Sequence, residues 1–221
     1  MTNGLKSWSY TTLSDYERCP FYLKCKKIDK LPEPKGPALD RGIKIHKKCE
    51  DYLTTPQLAL PKECLKFEQS FIDLKALDPI VEQEWCFRKN WSQTHWRDWK
   101  QGWLRGKLDA LALYPDHTAD MVDFKTGKFR GDDQYEAQER LSAHMVMVRY
   151  PDIKEVQTRL WYLDEGHETD PKTYPRDPSE KKYWEERTAP MFNDTVFAPK
   201  PNALCGWCTY RKSNGGPCKH S

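Results

Sequence analysis

The sequence predicts a single α/β domain spanning residues 1–221, and three observations lead there. Segments with strand patterning (81–89, two within 102–128, and 156–163) alternate with segments of helical period (38–53, 63–77, 132–150 and 179–192). No Pro/Gly/Ser-rich linker divides the 221 residues, a length that supports one substantial core. Hydrophobic residues make up 38% of the chain, enough to fill that core, yet no apolar run approaches the roughly 20 residues of a membrane span. The opening MTNGLKSWSYTT lacks the apolar stretch of a secretion signal, so a cytoplasmic location is expected. A net charge of +3 is too small to identify a nucleic-acid partner by itself.

In chain order, SWSYTTLSDYERC (7–19) predicts a helix starting around Ser14, with Leu13, Tyr16 and Cys19 at helical spacing and Pro20 interrupting it. Three prolines make 31–37 a loop. From Ala38 to Leu53, Leu39, Ile43, His46 and Cys49 share one helical face, which places a histidine on the inner side. A second helix from Glu63 to Leu77 keeps Cys64, Phe67, Phe71 and Leu74 in phase. After the strand 81–89, the segment 90–101 interleaves Trp91, Trp96 and Trp99 with His95, Arg97 and Lys100. Such a loop either stacks bases and meets phosphates or packs its tryptophans on a neighbouring strand. Residues 102–128 form a hairpin turned at Pro115, Asp116 and His117. The helix 132–150 buries Ala137, Leu141, Met145 and Val148, with a polar ridge of Gln134, Gln138 and Ser142 beside them.

The chemistry concentrates on the hairpin. Asp109 lies on its first strand; Asp123 and Lys125 lie on the second. All three have odd numbers, so a register of even pairing sum sets them on one sheet face, with the two acids diagonally related and ~7 Å apart at the backbone. Two carboxylates sharing a hard cation such as Mg2+ or Mn2+, with a lysine to orient water or steady phosphate charge, suit phosphodiester hydrolysis. His46 could complete the cation's shell. An Asp-x-Lys triplet alone is common; the acid fourteen residues earlier on a neighbouring strand is what gives it weight, against the alternative of a surface salt bridge.

Eight cysteines are many for a reducing compartment. Cys49, Cys64 and Cys86 fall inside apolar-periodic segments and are expected in the core. Cys205, Cys208 and Cys218 form a C-x2-C pair with a third cysteine downstream, a strong metal signal. His220 would complete a Cys3His zinc site, whereas Cys19 or Cys25 would close a four-thiolate site suited to iron-sulfur.

The whole pattern resembles the RecB-like nucleases of the PD-(D/E)XK superfamily, among them the iron-sulfur exonucleases that include CRISPR-associated four-cysteine exonucleases and the AddB nuclease domain. SWSYTTLSDYERCPFYL is similar to their N-terminal segment, RGIKIH to their Gly-containing helix with a metal-binding histidine, GKLDAL to their Gly-x-x-Asp, and VDFKTGK to their second acid and lysine. The resemblance implies a restriction-endonuclease-like core, a central mixed sheet flanked by helices, with a cluster clasp formed by 14–25 and 200–220. It implies catalytic roles for His46, Asp109, Asp123, Lys125 and Gln138, and cation ligation by His46, Asp109, Asp123 and the Phe124 carbonyl. It further implies a 4Fe-4S cluster on Cys19, Cys205, Cys208 and Cys218. Two departures stand out: Ser142 replaces the tyrosine of the family's Gln-x-x-x-Tyr, and nine residues separate Cys208 from Cys218 where five or six are usual. The expected function is an Mg2+- or Mn2+-dependent exonuclease acting on single-stranded DNA or duplex ends in recombination, repair or replication, similar to stand-alone phage-type enzymes, with DNA and a recombination or replication protein as the expected partners. The alternatives are a DNA-binding accessory protein with little cleavage and a sequence- or structure-specific endonuclease.

Overall fold

A computed structural model describes residues 4–34, 36–129, 131 and 135–220. Helices α1 (Tyr10–Arg18) and α2 (Pro20–Leu23) lead into a π-helical turn, Lys24–Ile28, and α3 (Pro37–Thr54) follows the proline-rich loop. A 3-10 turn, Lys62–Phe67, precedes α4 (Glu68–Ala76). The strands are β1 (Ile80–Phe87), β2 (Gln93–Thr94), β3 (Leu104–Leu113), β4 (Thr118–Lys125), β5 (Glu155–Tyr162), β6 (His167–Glu168) and β7 (Lys172–Pro175). Helix α5 (Glu136–Arg149) crosses from β4 to β5, and α6 (Glu180–Asn193) precedes the tail. No described helix is long and apolar enough to cross a membrane.

The seven strands form a mixed sheet in the order β2-β1-β3-β4-β5-β6, with β7 also on β5. Among the described strands only β4 and β5 are parallel, as the α5 crossover requires. On one face α5, α6 and α1 pack around Leu13, Leu104, Met121, Leu141, Met145 and Trp184. On the other, α3 and α4 pack around Cys49, Phe71, Ala110, Val122, Phe124 and Trp161. Cys49, Cys64 and Cys86 are buried as expected, with the first two sulfurs 3.4 Å apart and both thiols free.

Several local expectations are corrected. The first helix starts a turn earlier than Ser14, because the Ser9 hydroxyl accepts from Thr12 N–H at 3.3 Å and caps it. Pro20 interrupts that helix and opens the next at its first position, where its missing N–H costs nothing. The inward face of α3 is Ile45, Cys49, Tyr52 and Leu53, whereas Leu39 and Ile43 are 54% and 60% exposed. For the fifth helix, the expected start at Asp132 and the ridge residue Gln134 lie outside the described residues.

Candidate active site and cysteine cluster

The site arises where the sheet splits. Strands β3 and β4 share a ladder only from Leu113–Ala119 to Ala110–Val122. Beyond that point β4 follows β5 to the Lys125–Tyr162 pair, and β3 follows β1 to Leu104–Phe87. Asp109 and Asp123 are the first residues past the shared ladder, one on each arm. Carried one pair further, the register of the shared ladder would set them opposite each other, not diagonally as expected from the sequence, but the ladder ends before them.

Asp109 also lies at a change of phase. Leu104 and Leu108 pack on the α5 side, Ala110 on the α3 side, and Leu111 again on the α5 side. A simple two-residue alternation cannot produce that order. Its neighbour on β1, lying between the Val81–Ala110 and Gln83–Leu108 pairs, is Glu82, whose φ of 51° is left-handed. Paired irregularity on two strands turns Asp109 and Glu82 toward α3.

There they meet His46. One turn before it, Gly42 brings α3 against the end of β4, where an added Cβ would stand 3.1 Å from Thr126 Oγ1. His46 Nδ1 lies 3.1 Å from Asp109 Oδ1 and 3.8 Å from Glu82 Oε1. Asp109 Oδ2 accepts the Phe124 N–H at 2.7 Å, which couples the two arms of the split. Asp123 is held from the other face: Gln138 Nε2 on α5 donates to its Oδ1 at 3.1 Å, and Lys125 Nζ faces its Oδ2 at 2.7 Å. The Lys125 ammonium also sits 4.0 Å from the Tyr135 ring centre. A cleft of about 630 Å³ contains these groups, and Leu39 and Ile43 form part of its wall. The stripe that read as core is thus partly the cleft's mouth.

Burial opposes the charge of His46, but its hydrogen bond with Asp109 and the nearby Glu82 carboxylate prevail and lift its pKa to about 10. Burial raises Asp123 to about 6, with Lys125 opposing and Asp109 reinforcing the rise. Its side chain keeps 20% exposure, none of it at Oδ2, which is shut off from solvent. Burial also works against Lys125, yet Asp123 keeps its pKa above the ordinary lysine value. Glu82 is held below the usual carboxylate range, against burial, by His46 and by an ion pair with Lys107.

One ligand atom each from His46, Glu82 and Asp109 lies within 4.8 Å of the others. Glu82 Oε1 is buried without a hydrogen-bond partner. Two carboxylates, one of them with an orphaned oxygen, and an imidazole make a donor set that fits a hard divalent cation. Asp123 lines the same cleft but stands outside that compact trio. Glu82 is the residue that the sequence did not reveal. Its alternation with Glu84 imitates the wet face of a half-buried strand.

The chain ends meet elsewhere. Asn202 Nδ2 donates to Arg18 O at 3.1 Å, Lys200 Nζ to Glu17 O at 2.7 Å, and Arg187 forms a fork on Glu17 at 2.7 and 2.8 Å. Cys19, Cys205, Cys208 and Cys218 line one cavity of about 190 Å³ with Tyr22 and Trp207. Backbone N–H groups of Lys200 and Asn202 point at the sulfurs of Cys19 and Cys205, at 3.4 and 3.3 Å. Cys25 is fully buried nearby, and burial pushes its thiol up to about 11. His220 is exposed and does not line the cavity.

No curated protein sequence gives a significant match to the chain. Among solved structures, a protein from Eubacterium rectale whose name carries a provisional exonuclease designation superposes with a TM-score of 0.50 at 13% identity, covering 92% of this chain and 87% of that one. The structure of SSO0001 aligns with a TM-score of 0.46, also at 13% identity, over 98% of this chain and 87% of its own. The first likeness supports the fold. At the level of sequence, residues 7–213 match the family described as the PD-(D/E)XK nuclease superfamily. With a split mixed sheet, acids at the split and a lysine two residues past the second acid, the chain belongs to the PD-(D/E)XK nuclease superfamily.

Proposed function

We propose that the protein is a divalent-cation-dependent DNA exonuclease acting on single strands or duplex ends, serving recombination, repair or replication. The observation that carries this reading is the convergence of His46, Glu82 and Asp109 beside the Asp123–Lys125 pair. His46, Glu82, Asp109, Asp123 and the Phe124 carbonyl are the groups that would hold Mg2+ or Mn2+. A cation bound there supplies positive charge against the oxygens of the scissile phosphate. Lys125, anchored by Asp123, donates hydrogen bonds to the attacking water or to the phosphate. Gln138 fixes the Asp123 carboxylate from α5 and is a positioning residue. End-labelled linear and circular DNA, single- and double-stranded, incubated with Mn2+ provides the test. Loss of label from linear DNA alone, abolished in Asp123→Ala and Lys125→Ala, is expected. Equal cleavage by wild type and both variants overturns the assignment.

The cavity at the chain ends holds a 4Fe-4S cluster on Cys19, Cys205, Cys208 and Cys218. Support comes from the N–H groups aimed at two of the sulfurs, a recurrent feature of cluster thiolates. Purified protein should be brown, with broad absorption toward the blue, and Cys208→Ser should be colourless and less stable. Stoichiometric zinc in a colourless wild type overturns the cluster.

A further inference from the structure

We infer that the groove beside the acid cleft is a binding track for single-stranded DNA, in which the exposed face of Trp99 stacks on a base; this rests on the nuclease reading above. The three loop tryptophans have separate fates. Trp91 is 3% exposed and packs edge-on against Trp103 and His144. Trp96 is half-buried, and Trp99 is 64% exposed. One face of Trp99 covers the Arg105 guanidinium, 4.5 Å from the ring centre. That contact explains where the indole sits but not why so much of it faces solvent.

The platform is rigidly built. Arg105, only 8% exposed, donates to Trp96 O at 3.2 Å and Asp98 O at 2.7 Å. The Asp98 carboxylate accepts from Thr94 Oγ1 at 2.7 Å and from the N–H groups of Gln101 and Lys100 at 2.9 and 3.1 Å. At Gly102 an added Cβ would stand 2.5 Å from Asp98 O, so the loop closes only around glycine. A preorganised aromatic loses little freedom on binding.

Its position follows from the split sheet. The Trp8 backbone bridges β3 at Leu104, and β4 rejoins it only at Ala110. Between them β3 has no strand partner on that side among the described residues, and a groove of about 560 Å³ lies there. Trp96, Trp99, Lys6, Lys27 and Lys107 line it, offering ring faces for bases and ammonium groups for phosphates. Lys107 and Gln138 line both this groove and the acid cleft, so the two adjoin. From Arg105 to Asp109 a strand advances about 13 Å, or about four nucleotides at a stacked spacing of ~3.4 Å.

The test is fluorescence anisotropy of labelled dT12 and of an abasic strand of equal length, without added divalent cation, against wild type, Trp99→Ala and Trp99→Phe. Wild type should prefer dT12; Trp99→Ala should shrink that preference by about 5-fold or more, the scale of one base–aromatic stack, and Trp99→Phe should keep it. Matching melting curves will exclude unfolding as the cause. An unchanged preference in Trp99→Ala, or none in wild type, overturns the track. Because binding is read without cleavage, an inactive protein that still shows the Trp99 effect defeats the nuclease reading alone. An active one lacking the effect defeats the track alone.

Discussion

Acid should destabilise this protein through one buried histidine. His144 lies on α5 at 5% exposure, its Nε2 buried without a hydrogen-bond partner and its ring edge-on to Trp91 at 4.7 Å. Burial pushes its pKa down to about 4; Glu180 opposes this, while Lys181, Arg176 and Arg140 add to it. In the unfolded chain the imidazole titrates near ~6.5. The folded pKa is depressed, so the unfolded state binds the proton first as pH falls. The contribution is complete above pH ~6.5 and declines through the window down to about 4. A tenfold difference in proton affinity between the folded and unfolded states is worth ~1.4 kcal/mol, so about 3 kcal/mol is lost in all and ~2 kcal/mol by pH 5. That is a large share of the ~5–15 kcal/mol typical of a folded domain. Urea midpoints of wild type and His144→Met at pH 7.5, 6 and 5 provide the assay. Methionine fills the space without titrating, and acid effects at other groups cancel in the difference. The variant should gain ~2 kcal/mol on wild type between pH 7.5 and 5; parallel curves would refute the reasoning.

Two further outcomes are expected. Glu82→Gln should raise the Mn2+ concentration for half-maximal DNA cleavage by about 10- to 100-fold, the usual scale for loss of a group supporting a metal site; an unchanged requirement would place Glu82 outside the cation's reach. Gly216→Ala should lower the iron content and visible absorbance of the purified protein, because its Cβ would stand 2.2 Å from Tyr210 O, the acceptor of the Cys218 N–H. Full iron content in that variant would show that the tail accommodates the change without moving Cys218.

Much of the architecture was legible because burial leaves a periodic trace. The hairpin, the flanking helices and the stripe Cys64, Phe67, Phe71 and Leu74 all fall where the pattern sets them. Patterning failed where a surface is apolar for another reason. Leu39 and Ile43 obey the helical period yet border the cleft, since an apolar stripe records proximity to protein and not depth. Parity along β3 failed because it assumes an unbroken strand, and the phase change at Asp109 lets Leu108 and Leu111 join the same core. Glu82 was invisible for the related reason that its left-handed φ depends on its neighbour across the sheet.

The same irregularity ties the candidate chemistry to the candidate track. A left-handed φ at a glutamate costs on the order of 1–3 kcal/mol, and parting β3 from β4 forgoes the ladder bonds below Ala110. An unbroken sheet would avoid both costs, but it would leave Asp109 paired flat against Asp123, with no opening for a phosphate. Splitting the sheet turns Asp109 and Glu82 toward His46, leaves Asp123 to Gln138 on the opposite face, and frees the flank of β3 between Trp8 and Ala110. The Phe124 N–H bond to Asp109 bridges the gap, so the arms part without becoming independent. The strain therefore has a structural product: two adjoining clefts, with the candidate cation ligands in one and the aromatic platform in the other. A variant that restored regular β3–β4 pairing should gain stability and lose cleavage together.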